Sequence, residues 1–288
     1  MEVLRVPASQ DLSGFVAMLR RMQLPFRVSE EAGEQVLRAP AEIAEHLRKL
    51  YAEFPDGNAP LDAMPAPAAT RVVMFATPLR GVPFTALMLL VTLAIALITH
   101  VGENFETIRW FSFTDFRIQG GYAYFASLEQ SLDAGQWWRL ITPMFIHFGW
   151  LHLAMNSLWY WELGRRIETR QGLVALLGLT LLYSLVSNFA QYAYGGTGIF
   201  GGLSGVLYGL LGHCWLYQKL APGEAYRLPP GVIVLMLAWL VICLTGVIEV
   251  VSFGALAIAN AAHVGGLVAG CLTGVLGGLL ARSRSARR

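Results

Sequence analysis

Six long apolar runs dominate this sequence after residue 80: Val82 to Val101, Ile141 to Leu163, Leu173 to Tyr194, Ile199 to Tyr217, Val232 to Val251, and Ala262 to Ala281. Each is close to the roughly 20 residues that a helix needs to cross a bilayer. Charged residues make up only 14% of the chain against 55% hydrophobic ones, where a soluble domain typically carries about 25% charged. The deficit is explained if the runs lie in lipid, so the expected fold is an all-α polytopic bundle of six transmembrane helices. Basic residues set its orientation. Arg80, the turn with Arg165, Arg166 and Arg170, Lys219 with Arg227, and the tail Arg282, Arg284, Arg287 and Arg288 fall on alternate sides. The positive-inside rule then places both termini in the cytosol.

Residues 1–55 have a different character and read as a small α/β domain. Glu2 to Val6 alternates like a strand, and Asp11 to Gln23 spaces Leu12, Phe15, Val16 and Leu19 as a helix does. Two short strands, Phe26 to Val28 and Gln35 to Leu37, flank a turn at Glu31 to Gly33, and a helix opens at Pro40 and runs to Phe54. Its one histidine, His46, lies in a charged segment and reads as solvated. Residues 56–80, with Pro60, Pro65 and Pro67 among small residues, form the linker to the six-helix domain of residues 81–288. The N-terminus carries no signal-peptide pattern. A net charge of +2 gives no reason to expect nucleic acid, and Cys214, Cys243 and Cys271 fall inside apolar runs without metal-ligand spacing. Neither a metal nor a cofactor is expected.

The loop Gly102 to Trp138 is dense in aromatics, among them Trp110, Phe113, Phe116, Tyr122, Tyr124 and Trp137. Such rings favour the headgroup interface, so the loop is expected half inserted beside the helices, the alternative being an ordinary loop with an aromatic belt.

Chemistry concentrates in IFGGLSGVLYG, residues 199–209. Gly201, Gly205 and Gly209 recur every four residues, a spacing that lets membrane helices pack backbone to backbone, and Ser204 and Tyr208 lie within about 60° of that stripe. The sixth run repeats the device with Gly266, Gly270 and Gly274, and His263 stands beside it at the same depth. Each feature alone has a packing explanation. Together on matching faces they put a serine against a histidine, a nucleophile and its base. An ionisable group in a span is expensive and faces a partner or a cavity.

The second run adds His152, Asn156 and Trp159 on one helical face, with His147 before them. A neutral imidazole N–H, an amide NH₂ and the backbone N–H of Ser204 at the first turn of its helix are suitable donors to a developing oxyanion. No carboxylate is placed to complete a triad: Glu162 and Glu168 belong to the cytosolic end. The ring of Tyr208, one turn from Ser204, is positioned to stack on the imidazole. Residues 202–206 resemble the G-x-S-x-G elbow of α/β-hydrolases, but Val206 replaces the last glycine and no strand precedes it.

At these residues the sequence resembles the rhomboid intramembrane serine proteases. Gly202-Leu203-Ser204-Gly205 matches their GxSG motif, residues 262–270 their AHxxGxxxG, His152 to Asn156 their HxxxN, and Trp138-Arg139 the WR pair of their first loop. The N-terminal domain is similar, more weakly, to the cytosolic domain of the bacterial GlpG type. The resemblance covers roughly residues 80–280 and implies a cofactor-free, multi-pass enzyme of the bacterial inner (cytoplasmic) membrane. Such an enzyme cleaves transmembrane protein substrates near the outer face of the lipid bilayer. It implies a catalytic dyad at Ser204 and His263, an oxyanion site at His152, Asn156 and the Ser204 amide, and supporting roles for Tyr208, Gly202, Gly205, Gly266, Gly270, Trp138 and Arg139. The fifth run and the Ser252 to Asn260 loop are the expected gate. Two departures stand out, a longer first loop and a different length before His263. A scaffold that binds helices without cutting them, and a small transporter, are the competing classes. The intact Ser204 and His263 speak against the first, and the absence of internal repeats against the second.

Overall fold

The computed structural model describes residues 1–22, 24–58, 81–221, 226, 228–251 and 257–285. Arg80, Arg227, Arg287, Arg288, most of the linker and residues 252–256 lie outside the described residues. The chain divides into two compact units, Met1–Met74 and Phe75–Arg288.

In the first unit the order is strand, helix, strand, strand, helix: β1 (Glu2–Pro7), α1 (Ser13–Arg21), β2 (Arg27–Glu31), β3 (Glu34–Arg38) and α2 (Ala41–Glu53). The strands pair antiparallel in the order β1-β3-β2. The β2–β3 turn puts Ala32 and Gly33 at positive φ, 53° and 80°, the backbone that a tight hairpin requires. Helix α1 starts where the Asp11 carboxylate accepts the Ser13 N–H at 2.8 Å. Phe15, Met18 and Leu19 of α1 and Ala44, Leu47 and Leu50 of α2 share one apolar core with Val3 and Leu37 of the sheet.

The second unit is mainly helical. It runs α3 (Pro83–Ile98), α4 (Phe105–Phe111), the hairpin β4 (Phe116–Gln119) and β5 (Tyr122–Phe125), α5 (Leu128–Asp133), and two 3₁₀ turns at Trp137–Leu140 and Thr142–Phe145. It continues with α6 (Trp150–Gln171), α7 (Leu173–Gly195), α8 (Ser204–Leu220), α9 (Pro230–Leu244), α10 (Val247–Val251) and α11 (Asn260–Ser285). Among the described residues, Leu173–Gly195 and Asn260–Arg284 are long and apolar enough to cross a membrane, and Pro83–Ile98 and Pro230–Leu244 are shorter apolar helices.

Three of the apolar runs fold differently from the sequence expectation. The second is not one helix from Ile141: Pro143 sits in a 3₁₀ turn, Gly149 takes φ 91°, and α6 begins only at Trp150. The fourth becomes helical only at Ser204, because Gly202 takes φ 120°, a conformation that ends any helical continuity with Gly201. The fifth breaks at Gly246, φ 73°. The long aromatic loop is ordered, its hairpin turning through Gly120 and Gly121, both at positive φ.

Helix α8 lies at the centre. Leu207, Leu210, Leu211 and Cys214 on it are buried among residues of α3, α6, α7, α9 and α11. The α6 carboxylate of Glu168 ties two helices: it accepts the Phe84 and Thr85 N–H groups at 2.8 Å each and the Thr85 hydroxyl at 2.6 Å, so the open N-terminus of α3 is capped from outside. Glu162 pairs with Arg165 at 2.6 Å and with Arg166. Both acids are therefore engaged at the far end of α6 from His152.

Candidate active site

The geometry starts from Gly202. A side chain is excluded there, since a Cβ would stand 2.9 Å from both Cε1 and Nε2 of His152 and 3.7 Å from Ser204 Oγ. The glycine therefore lets the His152 imidazole approach the backbone beside the Ser204 hydroxyl. The turn is held by the Gly202 N–H, which donates to the Pro143 carbonyl at 3.0 Å. Ser204 follows as the first residue of α8, so its backbone N–H has no intrahelical acceptor and sits at the positive end of the helix dipole.

Ser204 Oγ and His263 Nε2 lie 2.8 Å apart. His263 is buried, and among the described residues its Nδ1 has no hydrogen-bond partner. The first turn of α11 is fixed from two sides: Gln191 of α7 accepts the Ala262 N–H at 3.2 Å, and the Asn260 side chain donates to the Cys243 carbonyl at 3.0 Å. The Tyr208 ring sits 5.0 Å from the His263 ring at 46°, tilted rather than stacked, and its hydroxyl donates to the Met236 carbonyl at 3.0 Å.

Glycine packing brings the two helices this close, but the two stripes do different work. On α11, a Cβ at Gly266 or Gly270 would fall on the backbone carbonyl of Gly205 or Gly209. On α8, the missing Cβ atoms of Gly205 and Gly209 face α7, making room for Ser187 and the Tyr183 ring. Gly201, expected on the helical stripe, lies outside the helix and packs on Pro143 and Ile146. One helix thus offers its bare backbone to a partner on each side.

His152 lies on the first turn of α6. The Phe148 N–H donates to its Nδ1 at 3.3 Å, which leaves the ring proton on Nε2, the nitrogen beside Gly202. The arrangement supplies a neutral N–H donor at the space in front of Ser204. Asn156, one turn on, is buried and gives one amide proton to the His152 carbonyl at 2.8 Å, while its Oδ1 is unpartnered among the described residues. Its second amide proton is left for another acceptor.

Trp138 and Arg139 are not brought to Ser204. Arg139 is 1% exposed and donates to Gln136 Oε1 at 2.7 Å, to the Ser112 carbonyl at 3.0 Å and to the Arg109 carbonyl, with Asp115 at 3.1 Å balancing its charge. Trp138 Nε1–H donates to the Trp110 carbonyl at 2.9 Å. The pair pins the long loop to the 3₁₀ turn. Burial raises the Asp115 carboxyl, but the hydrogen bond from Arg109 and the charge of Arg139 outweigh it and hold the group below its ordinary range. From this anchor the loop reaches the site, since Phe116 and Phe125 pack with Ile146, Phe148 and Ile199.

Phe148, whose contribution is a backbone N–H, and Gln191 and Ser187 of α7 also belong to the site and carry no motif. Polar residues within the third apolar run were the available signal for the last two. The His147 ring is fully buried, donates to the Phe145 carbonyl at 3.0 Å and lies 5.1 Å from the His152 ring.

Comparison with known proteins gives a consistent picture. The family model described as Rhomboid domain matches residues 134–279, and that described as Rhomboid N-terminal domain matches residues 1–64. A protein of Serratia proteamaculans (strain 568) named Rhomboid protease GlpG is 42% identical over 137 residues, 48% of this chain and 47% of that one. Proteins of the same name from Yersinia pestis (strain Pestoides F) and Yersinia pseudotuberculosis serotype O:3 (strain YPIII) are 37% identical over 158 residues, 54% of either chain. The matched stretch spans about half the length of these relatives.

Proposed function

The chain belongs to the rhomboid family, and from that premise we propose that it is an intramembrane serine endopeptidase that cuts membrane-anchored proteins in or near their transmembrane segments. The observation that carries this reading is the 2.8 Å contact between Ser204 Oγ and His263 Nε2. With the imidazole proton on Nδ1, Nε2 accepts in that hydrogen bond and takes the hydroxyl proton as Ser204 attacks the peptide carbonyl. The dyad works without an aspartate: a buried first turn of α11, fixed by Gln191 and Asn260, orients the imidazole that a carboxylate orients in a triad.

Attack converts the carbonyl oxygen to an oxyanion beside Gly202 and His152. His152 Nε2–H, the free amide proton of Asn156 and the Ser204 N–H are its donors, preorganised by the helices that carry them. His263 then gives its proton to the leaving amine, and the ester is hydrolysed by water in a second round of the same proton transfers. No metal or cofactor enters these steps.

The wider reading follows the same premise. Residues 1–55 are a cytosolic domain, 56–80 a linker and 81–288 a six-helix membrane domain, with α3, α6, α7, α8, α9 and α11 as the spans and both termini cytosolic in a bacterial inner membrane. The first loop rests in the headgroup layer, where exposed Trp110, Tyr122, Tyr124 and Trp137 favour it. Helix α9 and the segment before Asn260 part to admit a substrate helix. Substrates that unwind readily, with Gly or Pro near a small residue at the cut, suit this entry.

The test uses the full chain in liposomes with a single-span model substrate. Cleavage by the wild type and none by Ser204→Ala supports the proposal. Cleavage that survives Ser204→Ala overturns the mechanism, and a wild type that binds the substrate without cutting it favours a scaffold.

A further inference from the structure

The three helices that supply the candidate site meet a second time, at the end of α6 and midway along α8 and α11. Gln171 is the last residue of α6, His213 lies on α8 nine residues after Ser204, and Thr273 lies on α11 ten residues after His263. At about 1.5 Å per residue, the second junction is about 14 Å from the first along both α8 and α11. One residue from each helix takes part in it.

The hydrogen bonds there are directional. The Gln171 side-chain amide donates to His213 Nε2 at 3.2 Å and to the Tyr226 hydroxyl. Nε2 is then an acceptor, so the ring proton lies on Nδ1 and is donated to Thr273 Oγ1 at 3.1 Å. Thr273 passes its own hydroxyl proton to the Gly270 carbonyl at 3.0 Å and accepts from the Tyr183 hydroxyl at 2.5 Å. His213 is 3% exposed, and each of its ring nitrogens has a partner.

Between the two junctions α8 and α11 touch through bare backbone, Gly266 on Gly205 and Gly270 on Gly209, and Gly274 continues the contact on His213 at the second junction. Such a surface permits close approach but offers few interdigitating side chains to oppose sliding along the axis. A register fixed at one end carries to the other, because both helices are continuous over the interval. Resting on the protease reading above, we propose that Gln171, His213 and Thr273 are positioning residues. They set the axial register of α11 against α8, with the end of α6 docked on the same junction, and so hold His263 at Ser204.

The experiment measures kcat and KM of Thr273→Val and Thr273→Ser in liposomes, with Ser204→Ala in parallel. Valine keeps the shape of threonine and removes the hydroxyl, whereas serine keeps the hydroxyl. The expected result is a kcat lowered about 10- to 100-fold in Thr273→Val, the cost of a misplacement of about 1 Å at a reacting centre. KM stays unchanged and Thr273→Ser recovers most of the loss. The rate of Ser204 labelling by a fluorophosphonate falls in step. If Thr273→Val does not fold, Gln171→Met at the end of α6 is read in its place, with the same expected fall in kcat. Wild-type kcat per labelled serine in the folded variant overturns the inference while leaving the protease reading intact. Cleavage by Ser204→Ala removes the reading on which the inference rests.

Discussion

Gly266→Ala adds one methyl at the closest approach of α8 and α11. A Cβ at that position would meet the Gly205 carbonyl oxygen inside the 3.0 Å that real Cβ atoms essentially never breach, with Gly205 Cα only 3.4 Å away. Everything it meets is backbone, so no change of rotamer makes room and the helices must part. Ser204 adjoins Gly205, and His263 lies less than one turn from Gly266, so parting them stretches the 2.8 Å contact between the two. A displacement of about 1 Å at a reacting centre costs about 100-fold in turnover, whereas overpacking costs about 1–3 kcal/mol of stability. The variant is therefore expected to stay folded and lose nearly all cleavage. Gly178→Ala is the control: nothing lies within 4 Å of its Cβ position on α7, and turnover should be retained. Cleavage of a single-span substrate in liposomes, with thermal unfolding of the same preparations, makes the comparison. A folded Gly266→Ala enzyme with wild-type turnover would refute the claim that glycine contact sets the Ser204–His263 distance.

His152→Ala should lower kcat by about 10²- to 10³-fold with KM little changed, the usual loss of one oxyanion donor, measured by steady-state cleavage. Tyr208→Phe removes the bond to the Met236 carbonyl but keeps the ring against His263, so about 1 kcal/mol of stability is lost and turnover persists, whereas Tyr208→Ala lowers turnover. Asp115→Asn leaves buried Arg139 without its counter-charge and should cost about 3 kcal/mol by thermal unfolding at neutral pH. Because the folded Asp115 carboxyl titrates below the unfolded one, its contribution is complete at neutral pH and is lost as pH falls from about 4 through the folded value. The Asn variant should therefore lack that part of the acid destabilisation.

Much of the candidate site was legible because its chemistry sits on helices with strong spacing signals. Four-residue glycine repeats brought α8 and α11 together on paper, and the structure places Ser204 and His263 in contact. What those repeats do not encode is direction. The Cβ positions of Gly205 and Gly209 face α7, a distinction that depends on the rotation of α8 among three neighbours and has no trace in the spacing. The apparent start of the second run at Ile141 was misleading for a related reason: hydropathy counts residues without regard to backbone, and Pro143 and Gly149 fold that stretch into turns. Those turns carry the Phe148 N–H that sets the His152 tautomer, a role open to any residue except proline. Arg139 and Trp138 stood out as a motif, yet half of their partners are backbone carbonyls of the long loop. The N-terminal domain was readable in its element order because alternation and helical spacing are clean there.

The central claim is that Ser204 is a nucleophile activated by His263 alone. Reaction of the membrane-reconstituted chain with a fluorescent fluorophosphonate, followed by peptide mapping, tests it directly. The account predicts a single labelled site at Ser204 in the wild type and loss of that label in His263→Ala. Undiminished labelling of Ser204 in His263→Ala would contradict it.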